Sequence, residues 1–177
     1  MPPHRTLAEL EAGLLTSAPA PKDAGTLSLI VARRAAGVHE ALPSARLTPE
    51  EGLPGDKWLQ GAAPKFDNQL TVMRRDVAEL IAHGRDLSLF GDNLFVDLDL
   101  SADNLPLGAR VQVGSAIVEV TPMPHNGCLL FKERFGGDAL RFVAAPATRR
   151  QNLRGIHWKV VVPGLVEAGA AVRVLSR

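Results

Sequence analysis

The chain has 177 residues, of which 46% are hydrophobic and 22% charged, with a net charge of +1. This is the profile of a single soluble globular domain large enough to bury a core. A lone cysteine excludes an internal disulfide, and no run reaches the ~20 apolar residues a membrane span requires. The first residues, MPPHRTLAELEAGLL, place Glu9 and Glu11 where a secretory leader needs an apolar stretch, so a cytoplasmic location is expected.

In chain order, leucines at 7, 10, 14 and 15 have helical spacing over residues 6–18, and PAPKDAG then breaks the pattern. Residues 1–25 therefore read as an N-terminal helix and linker, and residues 26–177 as the main domain. TLSLIVARR (26–34) reads as its first strand. Residues 35–68 contain Pro43, Pro49, Pro54 and Pro64, and read as one long irregular segment with GLPGDKW at its centre. Segments of that length in a compact domain are often functional. The loop is expected to fold back beside the cysteine, with Asp56 and Lys57 offering polar contacts to a site or else forming an ordinary turn.

NQLTVM (68–73) predicts a strand, and RRDVAELIAHG (74–84) a helix stopped by Gly84. NLFVDLDL (93–100), ARVQVG (109–114) and AIVEVT (116–121) predict further strands, the last two joined as a hairpin through Gly114-Ser115. Residues 127–136 and 138–146 predict two short helices, and residues 155–164 and 170–177 two closing strands. Many short strands with few intervening helices point to a mainly β fold. The expected architecture is a closed or nearly closed barrel of mostly antiparallel strands with peripheral helices.

Charge is unevenly spread. Residues 1–127 carry 11 Lys/Arg against 16 Asp/Glu, and residues 128–177 carry 9 against 3. The basic part begins at Cys128, where it can favour a thiolate or hold an anion, or can simply keep the surface soluble. In HNGCLLFKERF, Asn126 is placed to cap a helix, which would put Cys128 in its first turn near unpaired N–H groups. His125, Lys132 and Arg134 would add positive character. The alternative is a buried filler, since Phe131 and Phe135 can draw the cysteine onto a core-facing stripe. His125-x-x-Cys128 lacks the further ligands of a zinc site, and no GxSxG, GxxxxGK[ST] or GxGxxG is present. Two Trp and no Tyr offer few platforms for stacking nucleic acid.

Four stretches, in order, resemble the MOSC domain, named for the C-terminal domain of molybdenum cofactor sulfurase. They are GLPGDKW (52–58), NQLTVMRRDVAELIA (68–82), residues 89–128 from LFGDNLF to PHNGC, and residues 134–164 from RFGGDAL to VVVPG. The segment 124–128 followed by Arg134-Phe135-Gly136 is the most telling. The resemblance runs from about residue 26 to the end and implies a strand-rich barrel. Its cysteine would carry persulfide sulfur to the molybdenum cofactor, a phosphorylated pyranopterin, or ligate molybdenum itself. Soft thiolate sulfur suits such a metal, and a terminal phosphate suits Arg and free N–H groups.

On this basis Cys128 is the candidate catalytic and metal-ligating residue. Arg154, Arg141, His125, Asn126, Lys57 and Asp56 are the candidate cofactor-binding residues. The chain departs from its relatives in one place: Leu130 stands where they often have a Lys two residues after the cysteine, with Lys132 one turn beyond. No pyridoxal-phosphate module is present, so a cysteine-desulfurase-like sulfur donor or an electron-transfer protein is the expected partner. The rival functions are a non-catalytic anion- or cofactor-binding module with an inert cysteine, and a cofactor-dependent reductase of N-hydroxylated compounds.

Overall fold

The computed structural model describes residues 3–60 and 65–177; residues 61–64 of the irregular segment, with Pro64, lie outside the described residues. Among the described residues ten strands and four α-helices follow one another. Strands β1 (Ala24–Arg33), β4 (Leu70–Arg74), β5 (Leu94–Val96), β6 (Arg110–Val113), β7 (Ala116–Val120), β8 (Ile156–Val162) and β10 (Ala171–Ser176) run in the order β10-β6-β7-β8-β4-β5-β1, and a β1–β10 pairing closes the ring. The result is a seven-stranded barrel. Every pairing is antiparallel except β4–β5. That pair is joined by α2 (Arg75–Ala82), the crossover that parallel neighbours require.

β1 can close the ring because it is ten residues long. Its first three residues pair with β10, its middle with β5, and its last four with β2 (His39–Leu42). β3 (Ser44–Leu47) and β9 (Gly164–Glu167) form a separate two-stranded ribbon. Two of these short strands lie inside the segment expected to be irregular. Prolines and scattered polar residues hide them from any test of alternation; β2 is a strand because it folds back on the end of β1, and β3 because it pairs with β9 about 120 positions away. The hairpin at Gly114-Ser115 forms as expected between β6 and β7. The strand expected over 93–100 is shorter and ends at Val96.

Strand alternation divides the apolar residues between two cores. Ile30, Val72 and Leu94 point into the barrel, where Trp158 is also fully buried. Their neighbours Val31, Met73 and Phe95 point outward into a second core beneath the helices. A strand apolar on both faces is what a covered barrel wall demands, which is why residues 29–32 of β1, 72–73 of β4 and all of β5 are consecutive apolar residues. The helices over that wall are α1 (Leu7–Thr16), α2, α3 (Leu129–Phe135) and α4 (Gly137–Ala144). α1 starts with a capping box between Thr6 and Glu9 and buries Leu10 completely. α2 stops one residue earlier than expected, with His83 rather than Gly84 taking the left-handed cap at φ 48°.

α3 also differs from expectation in a way that matters below. Its N-cap is Cys128 itself, with extended backbone, and not Asn126. The chain arrives through the irregular segment 122–127, and the first helical residue is Leu129. No helix among the described residues is long and apolar enough to cross a membrane.

Candidate functional site

Three loop segments meet where β7 ends, β5 begins and β8 begins, and each brings one polar side chain. Asp92 comes from the turn before β5, Arg154 from the turn before β8, and His125 from the segment leading to α3. Asp92 is fully buried and its Oδ2 accepts from Arg154 Nη1 at 2.6 Å. Arg154 is only 6% exposed; its guanidinium lies 5.1 Å above the Phe131 ring and its Nη2 reaches the Phe90 carbonyl at 3.4 Å. His125 Nδ1 faces Asp92 Oδ1 at 3.5 Å, and its ring lies 4.6 Å from that of His157. His157 in turn donates from Nδ1 to the Met123 carbonyl at 3.0 Å. Asp92 Oδ1, His125 Nδ1 and Arg154 Nε are shielded from solvent and have no hydrogen-bond partner. Three such atoms in one cluster are unusual in a native interior and mark it as built for something other than packing.

Two cavities flank His125. One, of about 270 Å³, is lined by His125, Asn126, Arg149, Asn152 and Arg154 together with Val143. The other, of about 180 Å³, is mainly apolar, with Leu105, Pro106, Pro122 and Ile156, and shares Pro124, His125 and Asn152 with the first. The first has two arginines and no acidic side chain in its lining, so it suits an anion.

The surrounding charges set the protonation states. Burial first, then Arg154, His157 and Arg33, hold the His125 imidazole well below the ordinary histidine value, so it is neutral. Burial pushes the Asp92 carboxyl up, while its contacts with Arg154 pull against it. Because the folded value of His125 is depressed, its contribution to stability is complete above the unfolded value of about 6.5 and is lost as pH falls toward the folded value. His39 and His157 are depressed in the same direction, chiefly by burial. Urea midpoints are therefore expected to decline once pH drops below about 6.5, and His125→Gln to flatten part of that decline; an unchanged slope would exclude His125 as a contributor.

Gly155 makes room for this cluster. Its φ is +103°, and a Cβ there would lie 2.1 Å from the Val72 carbonyl oxygen and 3.1 Å from His125 Nδ1. Both the backbone conformation and the clash with main-chain atoms oppose a side chain. Gly155→Ala is expected to cost about 2 kcal/mol or more, read as a lowered urea midpoint; a parent-like midpoint would show that the turn can relax.

The sequence-derived candidates separate into groups. His125, Asn126 and Arg154 come together at the basic cavity. Cys128 lies two residues beyond Asn126 and is exposed. It makes no side-chain capping bond, and its carbonyl accepts from Lys132 N at 3.0 Å. The apolar stripe of α3 consists of Phe131 and Phe135, both buried, while Leu129 and Leu130 face outward.

Asp56 is 3% exposed and saturated. It accepts from Arg33 N, Nε and Nη2, from Trp58 N and from Asn93 Nδ2 at 2.7 to 3.0 Å. Burial raises its carboxyl, but the bonds from Arg33 and Trp58 outweigh that and hold it below the usual range. It supports the site from behind, because Asn93, which it holds, adjoins Asp92. Lys57 is exposed beside it. Arg141 does not join the cluster: it is exposed on α4 and pairs with Asp138, which also accepts from Leu7 N. Sequence reasoning passed over Asp92, Arg149 and His157. The one available signal for Asp92 was a Gly-Asp-Asn turn running directly into an apolar strand, a place where charge is otherwise hard to bury.

Comparison with known proteins agrees with this architecture. The family model described as MOSC domain matches residues 67–173. The chain belongs to the MOSC domain family. That family is associated with the molybdenum cofactor. Among solved structures, the MOSC domain described here is similar to the YUAD protein of Bacillus subtilis, at 16% identity and a TM-score of 0.65 over 87% of this chain and 97% of that one. It is also similar to YiiM from Escherichia coli, at 23% identity and a TM-score of 0.55 over 86% and 70%. A protein described only as hypothetical matches at 24% identity with a TM-score of 0.59 over 86% and 68%. At these identities the likeness is one of fold. No curated protein matches the sequence.

Proposed function

We propose that this MOSC domain binds the molybdenum-pyranopterin cofactor and handles sulfur through Cys128, as a persulfide carrier or as the thiolate ligand of molybdenum. One observation carries the reading: a buried Arg154 with an unpartnered Nε lines a basic cavity, and an exposed cysteine follows two residues after that cavity's Asn126. The residues fit the cofactor in kind. Arg154 and Arg149 would hold the phosphate, Asn126 and His125 would meet polar atoms of the pterin, and Cys128 would supply the soft sulfur. When bound, the cofactor supplies the metal-centred redox or sulfur-accepting chemistry.

The residues of the chain bind and orient. The Asp92–Arg154 pair keeps the guanidinium from swinging into solvent, and the Phe131 ring packs beneath it. About 270 Å³ lies at the lower end for small-molecule sites, so the cavity takes the anionic end of the cofactor and leaves the rest near the surface that bears Cys128. Among the described residues no cluster of three His, Cys, Asp or Glu could hold a metal by itself, consistent with a metal held mainly by the cofactor and one thiolate.

The exposure of Cys128 weighs against the rival reading of an inert core thiol. A cysteine-desulfurase-like donor or an electron-transfer protein would complete the reaction, and the reductase of N-hydroxylated compounds is one form of the molybdenum-ligating case. Protein purified from a host that makes the cofactor is expected to carry molybdenum and pterin in near-equal amounts. Absence of both under those conditions would refute the proposal.

A further inference from the structure

We infer that Asp92 is a positioning residue that fixes His125 as its Nδ1–H tautomer, so that Nε2 presents a hydrogen-bond acceptor to the cavity and the site selects an anion that also carries an O–H or N–H donor. The second half of this inference rests on the reading of the basic cavity as the ligand site; the first does not.

The argument starts from Arg154. An arginine cannot be deprotonated in a protein, and burying its charge unpaired would be costly. The carboxyl within 2.6 Å of its Nη1 is that of Asp92, so Asp92 serves as the counter-ion and is ionised. An ionised carboxylate only accepts hydrogen bonds. Its second oxygen, Oδ1, has no partner and faces His125 Nδ1, which has none either. Two buried polar atoms that face each other and nothing else are compatible only if one carries a proton, and here that must be Nδ1. At 3.5 Å the contact is longer than a formed hydrogen bond, so it orients the ring by attraction between the carboxylate and the N–H dipole.

A second proton on the ring is opposed first by its burial and then by Arg154, His157 and Arg33. Nε2 therefore keeps its lone pair. Nδ1 is sealed from solvent, yet His125 lines both cavities, so the edge it offers to them is the one opposite Nδ1. Gly155 without a Cβ leaves the ring this position, and His157, fixed by Met123, backs it from the other side. Arg154 and Arg149 can only donate, whereas His125 in this tautomer can only accept at the cavity. A ligand matching all three has anionic oxygens and one protic group, as in the monoanion of a phosphomonoester.

The test is 15N NMR of the histidine side chains in the metal-free and cofactor-free protein at neutral pH, with His125→Gln used to assign the resonance. The expected spectrum has Nδ1 protonated and Nε2 bare. A protonated Nε2, or an imidazolium, would overturn the tautomer assignment. Asp92→Asn is expected to give a mixture of tautomers; unchanged Nδ1–H in a folded variant would remove Asp92 from the account. If that variant does not fold, the parent spectrum decides.

For the ligand class, monomethyl phosphate and dimethyl phosphate are titrated at a pH of about 5, below the second phosphate ionisation near 6, where both are monoanions but only the first has an O–H. His125 Nε2 is expected to shift with monomethyl phosphate alone. Equal responses to both, or none to either, would overturn the selectivity. A protein that shows this tautomer but never retains pterin would refute the proposed function and leave the tautomer standing.

Discussion

Arg154→Ala is expected to destabilise the protein by about 3–5 kcal/mol, because it leaves the fully buried Asp92 carboxylate without its counter-ion. The effect on cofactor retention would then be inseparable from the effect on folding. A side chain 7% exposed and locked to a buried carboxylate responds little to bulk salt, so raising the salt concentration would not separate the two effects. A double replacement separates the two roles. Asp92→Leu with Arg154→Met exchanges the pair for apolar side chains of similar size, and such exchanges of buried pairs are often neutral or stabilising. The double variant should recover most of the lost stability in urea unfolding, while failing to retain cofactor. A single Arg154→Ala variant within about 1 kcal/mol of the parent would mean that water or a rearranged loop satisfies Asp92, and that the pair is not the support inferred for it.

Cys128→Ser is the converse case, with a large effect on chemistry and almost none on the fold. Cys128 is exposed and caps α3 without a side-chain hydrogen bond. Serine is among the preferred N-cap residues, so the variant should match the parent within about 0.5 kcal/mol or gain slightly. What it loses is a soft, nucleophilic sulfur that oxygen does not replace. Bound sulfane sulfur, or molybdenum, is expected to fall at least tenfold relative to the parent when both are purified from a cofactor-competent host. Parent-like values of both would show that the thiol takes no part. A loss of stability would show instead that Cys128 packs in a way its exposure does not suggest.

Much of the barrel was legible in the sequence, for identifiable reasons. The hairpin at Gly114-Ser115 declares itself through Val111, Val113, Ala116 and Val118, which alternate because one face of β6 and β7 is more deeply buried than the other. The amphipathic α2 is marked by Val77, Ala78 and Ile81 at helical spacing. Strands β2, β3 and β9 were not legible, because each is four residues long and takes its conformation from its partner and not from its own propensity: β2 from the end of β1, and β3 and β9 from each other across about 120 positions. The cap of α3 fell on Cys128 and not on Asn126 because the irregular segment before it is held by its surroundings, with Gly127 against Leu140 and Val143 of α4 and His125 turned toward Asp92.

By itself the sequence determined the class of fold, the membership in the MOSC family and a shortlist for the site. Hydrophobic alternation, turn residues and ordered motifs are local properties, and they survive without coordinates. The tertiary structure alone decided which candidates meet. Arg141 and Arg154 look alike in sequence, yet one pairs with Asp138 on an exposed helix face and the other is buried against Asp92. Burial converts an ordinary charge into a fixed and directional one, and burial is a property of the packed chain.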